Sequence, residues 1–254
     1  MEGGSRADGR NPNQLRPFSC TRNPLHRAHG SARWAQGDTV VLAAVYGPKP
    51  GVRKGENPEK ASIEVVWKPK TGQIGRQEKE YEMTLKRTLQ SICLLTVHPN
   101  TTTSVVLQVV GDDGSVSFHL NVAVNVCLLY LLPCAINASC AALAFAGIPL
   151  KHLAVAIGCG VMENGSVILD TNKAEEQQLR SFAHLVFPNS RKSVDTKESK
   201  QNDEYSERGL ITSITHGVMS EDDYFSCIER GLAASSRISD FMRTTLQKEA
   251  SEAA

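Results

Sequence analysis

Apolar residues in the first third of the chain fall in short runs broken by Gly, Pro and Asp, the punctuation of strands joined by turns. Ser31-Ala-Arg-Trp-Ala35, a Gly37-Asp38 turn and Thr39 to Tyr46, closed by Gly47-Pro48, predict two antiparallel strands. A polar loop follows over Lys49 to Lys60, then a strand over Ser62 to Lys68 stopped by Pro69. From Glu78 the period changes: apolar residues at 81, 85, 89, 92 and 95 with charges between them predict a helix through Leu95. Ser104 to Val110 is β-branched and strand-like, and Gly111-Asp-Asp-Gly114 stops it. Pro133 to Ala146 is rich in Ala, Ser and Cys, with proline in its first turn and Gly147 just past its end, which predicts a buried helix packed closely on a sheet. Leu153 to Val161 and Ser166 to Leu169 predict a hairpin around Glu163-Asn-Gly165, and Ser181 to Phe187 and Leu210 to Val218 predict further strands. Asn189 to Arg208 is too polar to pack and is expected to be a mobile loop. Ser220, followed by acidic residues, is an N-cap for a helix to about Lys248, with a disordered tail over 249–254. This element order is that of an α+β or mixed α/β fold with helices packed on a sheet.

Composition narrows the class. A chain of 254 residues with 41% hydrophobic residues buries a full core. Residues 1–15 are expected to be flexible, and the polar start, without an apolar h-region, points to an intracellular site. Seven cysteines, an odd number with no C-x-x-C pair, predict reduced thiols rather than a disulfide framework or a zinc site. The net charge of +1 hides an asymmetry: residues 1–87 hold 16 Lys and Arg against 9 Asp and Glu. That concentration suits a phosphate-backbone partner, and a solvated basic face accounts for it equally well.

Further residues carry a resemblance. Arg16-Pro17, then His29-Gly-Ser31-Ala and Gly37-Asp-Thr39 leading into an apolar strand, recur in order with Arg87 in a helix, an Asp113-Gly114-Ser115 turn, an Ala-rich helix ending in Ala146-Gly-Ile-Pro149, and Leu169-Asp170. Together these resemble the RNase PH superfamily over residues 16–248. Arg76-Gln77, in place of an arginine cluster, and Leu132-Pro-Cys134 resemble its eukaryotic exosome ring subunits, the plant form among them. The resemblance implies an RNase PH-like fold (ribosomal protein S5 domain 2-like) and phosphorolysis, in which inorganic phosphate attacks the 3′-terminal phosphodiester of RNA and releases a nucleoside diphosphate. Such a site must hold one anion against another, with guanidinium forks and, for a metal or acid catalysis, carboxylates. By resemblance Arg87 is a catalytic and phosphate-binding residue and Ser115 a phosphate-binding hydroxyl. Asp170 and Glu176 are the catalytic carboxylates that would hold Mg²⁺. Read without the resemblance, Arg87 is a surface helix charge and the acids a solvated cluster. Arg76 and Gln77, placed on a Gly-rich loop ahead of the helix, are candidate RNA contacts, with Lys68, Lys70 and Lys79 extending the basic neighbourhood.

Two departures weigh against catalysis. The second phosphate-binding arginine of the family is missing after Ser115, and an apolar insertion over residues 116–130, expected to be a splicing or gene-model product, separates that turn from the helix it should abut. Asn121, Asn125, Pro133 and Asn137 interrupt the run too often for a membrane span. The reading that follows is an exosome ring subunit in the nucleus, nucleolus and cytoplasm, a scaffold beside paralogous RNase PH-like subunits and RNA, needing no cofactor. The rivals are a phosphate- or Mg²⁺-dependent nuclease acting as a homodimer, and an RNA-binding module with no ring.

Overall fold

Alternation along residues 30–46 builds the first sheet. In β2 (Gly30–Gln36) and β3 (Thr39–Pro50), Ala32 pairs with Ala43 and Trp34 with Val41, and all four are wholly buried. The computed structural model describes residues 6, 8–50, 58–70, 72, 74–111, 130–176, 178–189 and 209–252, and the chain divides into two units, residues 16–151 and residues 1–15 with 152–254.

In the first unit β1 (Phe18–Arg22), β2, β3, β5 (Thr101–Gly111) and β4 (Ser62–Lys68) form one sheet in the order β1-β2-β3-β5-β4. Only β4 and β5 run parallel, and the connection between them carries α1 (Arg76–Ile92), as a parallel pair requires a crossover. Trp67 on β4 is buried against Tyr81 of α1, ring centroids 5.5 Å apart. α2 (Leu131–Phe145) is buried from Leu131 through Leu143, as expected of a helix apolar on every side. It ends as its sequence predicts: Gly147 takes φ +70°, and the Ile148 N–H closes back on the Leu143 carbonyl at 3.1 Å. Gly30 lets this helix close on β2, because a Cβ there would stand 2.3 Å from the Ala146 nitrogen.

Several boundaries differ from expectation, among them the last helix, which runs on to Glu252 into the tail expected to be disordered. β3 does not stop at Gly47-Pro48 but runs on to Pro50, pairing with Thr101 and Thr102 beyond a register shift that absorbs the proline. α1 begins at Arg76 and ends at Ile92, so Arg76 and Gln77 are its first turn and not a loop ahead of it; Gly75 caps the helix, donating its N–H to the Glu78 carboxylate at 2.8 Å. Helix α2 starts at Leu131, two residues ahead of Pro133. The insertion expected over 116–130, save Tyr130, and the polar loop expected over 189–208, save Asn189, lie outside the described residues.

The second unit holds β6 (Ala154–Met162), β7 (Val167–Leu169), β8 (Leu179–Pro188) and β9 (Thr212–Gly217) in an antiparallel sheet of order β7-β6-β8-β9, with a short α3 (Lys173–Glu176) and a long α4 (Glu221–Glu252). The predicted turn is in place, Gly165 at φ +79°. Ser220 caps α4 as its sequence suggests, its Oγ accepting the Asp223 N–H at 3.2 Å. Cys227, Ala234, Ile238 and Met242 repeat at helical spacing and are buried. Gly231 lies against Leu185 and Phe187 of β8. The six described cysteines are free thiols, and Cys159 and Cys227 meet between β6 and α4. The hydrogen bond that Cys159 donates to Cys227 and burial together raise the Cys159 thiol well above its ordinary value. Among the described residues no helix is long and apolar enough to cross a membrane.

His184 on β8 is buried, and burial, helped by the charge of His216, pushes it down from 6.5 to about 3. The unfolded chain takes up that proton near 6.5 and the folded chain does not, so stability is complete above 6.5 and lost as pH falls toward 3. The expected slope is about 1.4 kcal/mol per pH unit inside that window. Denaturation midpoints of the parent chain and His184→Leu, compared between neutral and mildly acid pH, check it: the parent falls more steeply.

Candidate functional site

The sequence-predicted basic residues gather on one exposed helix face and the strand end before it. Arg87 is exposed on α1, and Arg76, eleven residues earlier, points the same way because eleven residues are close to three helical turns. The helix rise separates them by about 16 Å. Lys79 and Lys86 lie to one side of this line, and both are exposed, as is Met83 within it. The Arg76 side chain is 96% exposed and stands 3.8 Å from the Glu80 carboxylate, a pair too open to water to fix it. Gln77 lies in the same first turn. Lys68, the last residue of β4, and Lys70 are exposed in the same unit. Bare guanidinium and ammonium groups on a helix are free to meet phosphate oxygens; nothing in their surroundings tells one base from another. Ser115 lies outside the described residues.

The carboxylates have the opposite environment. Asp170 follows β7 with φ +51°, a left-handed conformation that few non-glycine residues adopt, and only 6% of it is exposed. Its backbone N–H donates to the Gly158 carbonyl at 2.8 Å. Two residues on, Asn172 caps α3 reciprocally: the Glu175 N–H donates to its side-chain oxygen at 2.9 Å, and its own N–H donates to Glu175 Oε2 at 3.0 Å. Glu176 is also buried.

Two arginines that the motif reading missed hold this cluster. Arg6 meets both oxygens of Glu175, Nε and Nη2 each at 2.6 Å, and donates onward to the carbonyls of Leu169 at 2.9 Å and Asp170 at 3.1 Å. Arg10 donates to the Asp170 carbonyl at 3.0 Å and to the Asp8 carboxylate at 2.5 Å, and stands 3.8 Å from the Asp170 carboxylate. Burial acts to raise Asp8, but the hydrogen bonds and charge of Arg10 outweigh it and hold that carboxyl below its ordinary value. The first fifteen residues, expected to be flexible, therefore include a segment anchored at Arg6, Arg10 and Leu15. Between the two arginines Gly9 takes φ +75°, a turn conformation.

The structure brings Asp170 and Glu176 into one unit but surrounds Asp170 and Glu175 with guanidinium. Mg²⁺ seeks near-octahedral oxygen and keeps several waters. At Asp170 it would displace or face Arg10, and among the described residues no group of three or more His, Cys, Asp or Glu side chains is placed to hold a metal ion. The residues present do not fit a divalent cation in this arrangement.

Comparison with known proteins matches residues 14–149 to the RNase PH family, described as 3′ exoribonuclease family, domain 1. An exosome complex exonuclease RRP46 homolog from Oryza sativa subsp. japonica is 85% identical over 246 residues, covering 97% of each chain. The homolog of that name from Arabidopsis thaliana is 61% identical over 249 residues, 98% of each. Among solved structures, rice Rrp46 superimposes with a TM-score of 0.80 at 82% identity, covering 95% of this chain and all of that one. An archaeal exosome core chain reaches 0.68 at 16% identity, covering 94% of this chain and 91% of its own, a likeness of fold.

Proposed function

Because this chain belongs to the RNase PH family of 3′ exoribonucleases, we propose that it serves as a ring subunit of an RNA exosome, acting in 3′-to-5′ RNA processing and degradation mainly as a scaffold that lines the RNA path. The observation that carries the reading is a contrast of environments: the basic face of α1 is open to solvent, while Asp170 and Glu175 are buried against Arg6 and Arg10. Open cations bind a polyanion by releasing its counterions. Carboxylates already paired with guanidinium are poorly placed to activate phosphate or hold a metal.

In this reading Arg76, Gln77, Lys79 and Arg87 track the backbone of a single strand, with Lys68 and Lys70 behind them. Paralogous RNase PH-like subunits complete the ring, in the nucleus, nucleolus and cytoplasm. Phosphate is the family's co-substrate, and Arg87 and Ser115 are the groups that would meet it.

The test pairs binding with degradation. Arg76→Glu/Arg87→Glu is expected to weaken single-stranded RNA binding at every sequence and to reduce the slope of log affinity against log salt by about 1.4, two phosphate contacts at about 0.7 each. A labelled single-stranded RNA, incubated with the folded chain and phosphate, Mg²⁺, both or neither, is expected to stay intact. Release of nucleoside diphosphates that requires phosphate and disappears in Asp170→Asn would make the chain an active phosphorolytic nuclease. Metal-dependent cleavage by a homodimer would likewise replace the scaffold reading.

A further inference from the structure

We propose that a cavity between the N-terminal segment and α4 binds the carboxylate of an acidic residue, flanked by an apolar one, on a protein partner. The cavity holds about 350 Å³ and lies wholly within the second unit. Arg230, Ala233, Ala234 and Arg237 line it at the spacing of one helix face, with Glu229 at the rim and Asn13 and Leu169 opposite.

Each lining group has a distinct part. Arg230 is oriented by its Nη1, which donates to the Val167 carbonyl at 2.8 Å and reaches Asn13 Oδ1 at 3.4 Å. Its Nε and Nη2 hold no hydrogen bond within the described residues, so one edge of a fixed guanidinium remains to take an acceptor. Arg237 is exposed, and neither it nor Glu229 makes a hydrogen bond or ion pair among the described residues. Leu169 and Ala234 are buried beneath these groups, and small side chains at 233 and 234 leave room above an apolar floor.

Charge selects the ligand. Two arginines and one glutamate leave the cavity with a single net positive charge, which a carboxylate balances and a phosphate dianion or an RNA strand over-fills, with Glu229 opposing both. Glu229 also supplies an acceptor beside the guanidinium donors. A peptide fits that arrangement because it carries a backbone N–H next to its acidic side chain, whereas a phosphodiester carries no donor to match. A bidentate guanidinium–carboxylate contact over an apolar floor is an anchor of the kind that dominates protein interfaces. The proposal uses no residue of α1, so it stands or falls separately from RNA binding.

The test is a titration of the full chain, methyl-labelled at alanine, with the peptide acetyl-Ala-Leu-Glu-Leu-amide, observing Ala233 and Ala234. Saturable shifts at both methyls are expected. They should weaken about tenfold when Gln replaces the Glu of the peptide, and by a similar factor in Arg237→Gln, whose melting temperature should match the parent's because Arg237 is on the surface. An equal response to the Gln peptide, or an unchanged response in Arg237→Gln, overturns carboxylate recognition. So does the absence of any saturable shift, or tighter binding of inorganic phosphate than of the Glu peptide.

Discussion

Arg6→Met is expected to destabilise the chain by about 3–5 kcal/mol, read as a lower denaturation midpoint. Only 3% of the Arg6 side chain and 6% of the Glu175 side chain reach solvent, and two contacts of 2.6 Å join them. Removing the guanidinium leaves a carboxylate in a poorly solvated site and takes a donor from the carbonyls of Leu169 and Asp170, each a further cost. Methionine keeps much of the stem's volume, so the loss reports charge rather than a cavity. The double variant Arg6→Met/Glu175→Met should recover most of the loss, because no unpaired charge remains. If the single variant loses less than about 1 kcal/mol, water reaches Glu175 and the clasp contributes little.

Gly30→Ala should cost about 3 kcal/mol, the upper end of what overpacking does in a filled core. An added Cβ would lie 2.3 Å from the nitrogen and 2.6 Å from the Cα of Ala146, and 2.6 Å from the Ala142 carbonyl oxygen. These are backbone atoms of a helix buried through Leu143 and of its C-cap, so relief requires moving the end of α2 rather than turning one side chain. Thermal denaturation followed by circular dichroism measures the loss.

What the sequence could tell about the fold depended on how local the deciding interaction was. Residues 62–68 were readable end to end because alternation, β-branching and Pro69 all act within the segment. The end of α2 is legible in the same way, because Gly147 stops it, but its start at Leu131 is not. β1 has no such pattern: Phe18–Arg22 is a strand because it pairs with β2 and Phe18 stacks on Trp34, ring centroids 6.2 Å apart, so tertiary contact decides it. The start of α1 was misplaced because Gly75 caps through its backbone and offers no side-chain signal. At the candidate site, Arg76, Gln77, Lys68, Lys70, Lys79 and Arg87 were legible as a basic concentration, and α1 explains how a helix collects most of it. Arg6 and Arg10 were hidden because their partners lie 169 and 160 residues away, and nothing at the N-terminus names a carboxylate near residue 170.

The division of the chain has a consequence for its birth on the ribosome. Residues 16–151 are one unbroken stretch and can close as soon as they have emerged, whereas the other unit needs both ends of the polypeptide. Arg6 leaves the exit tunnel 169 residues before Glu175, on the order of ten seconds or more at ordinary elongation rates. During that interval Arg6 has no Glu175 to close on, and the N-terminal segment is available to chaperones or proteases. Slower elongation across the middle of the message would lengthen that exposure without changing one amino acid, so synonymous codon choice upstream of Asp170 becomes a variable in how much of this protein reaches its native form.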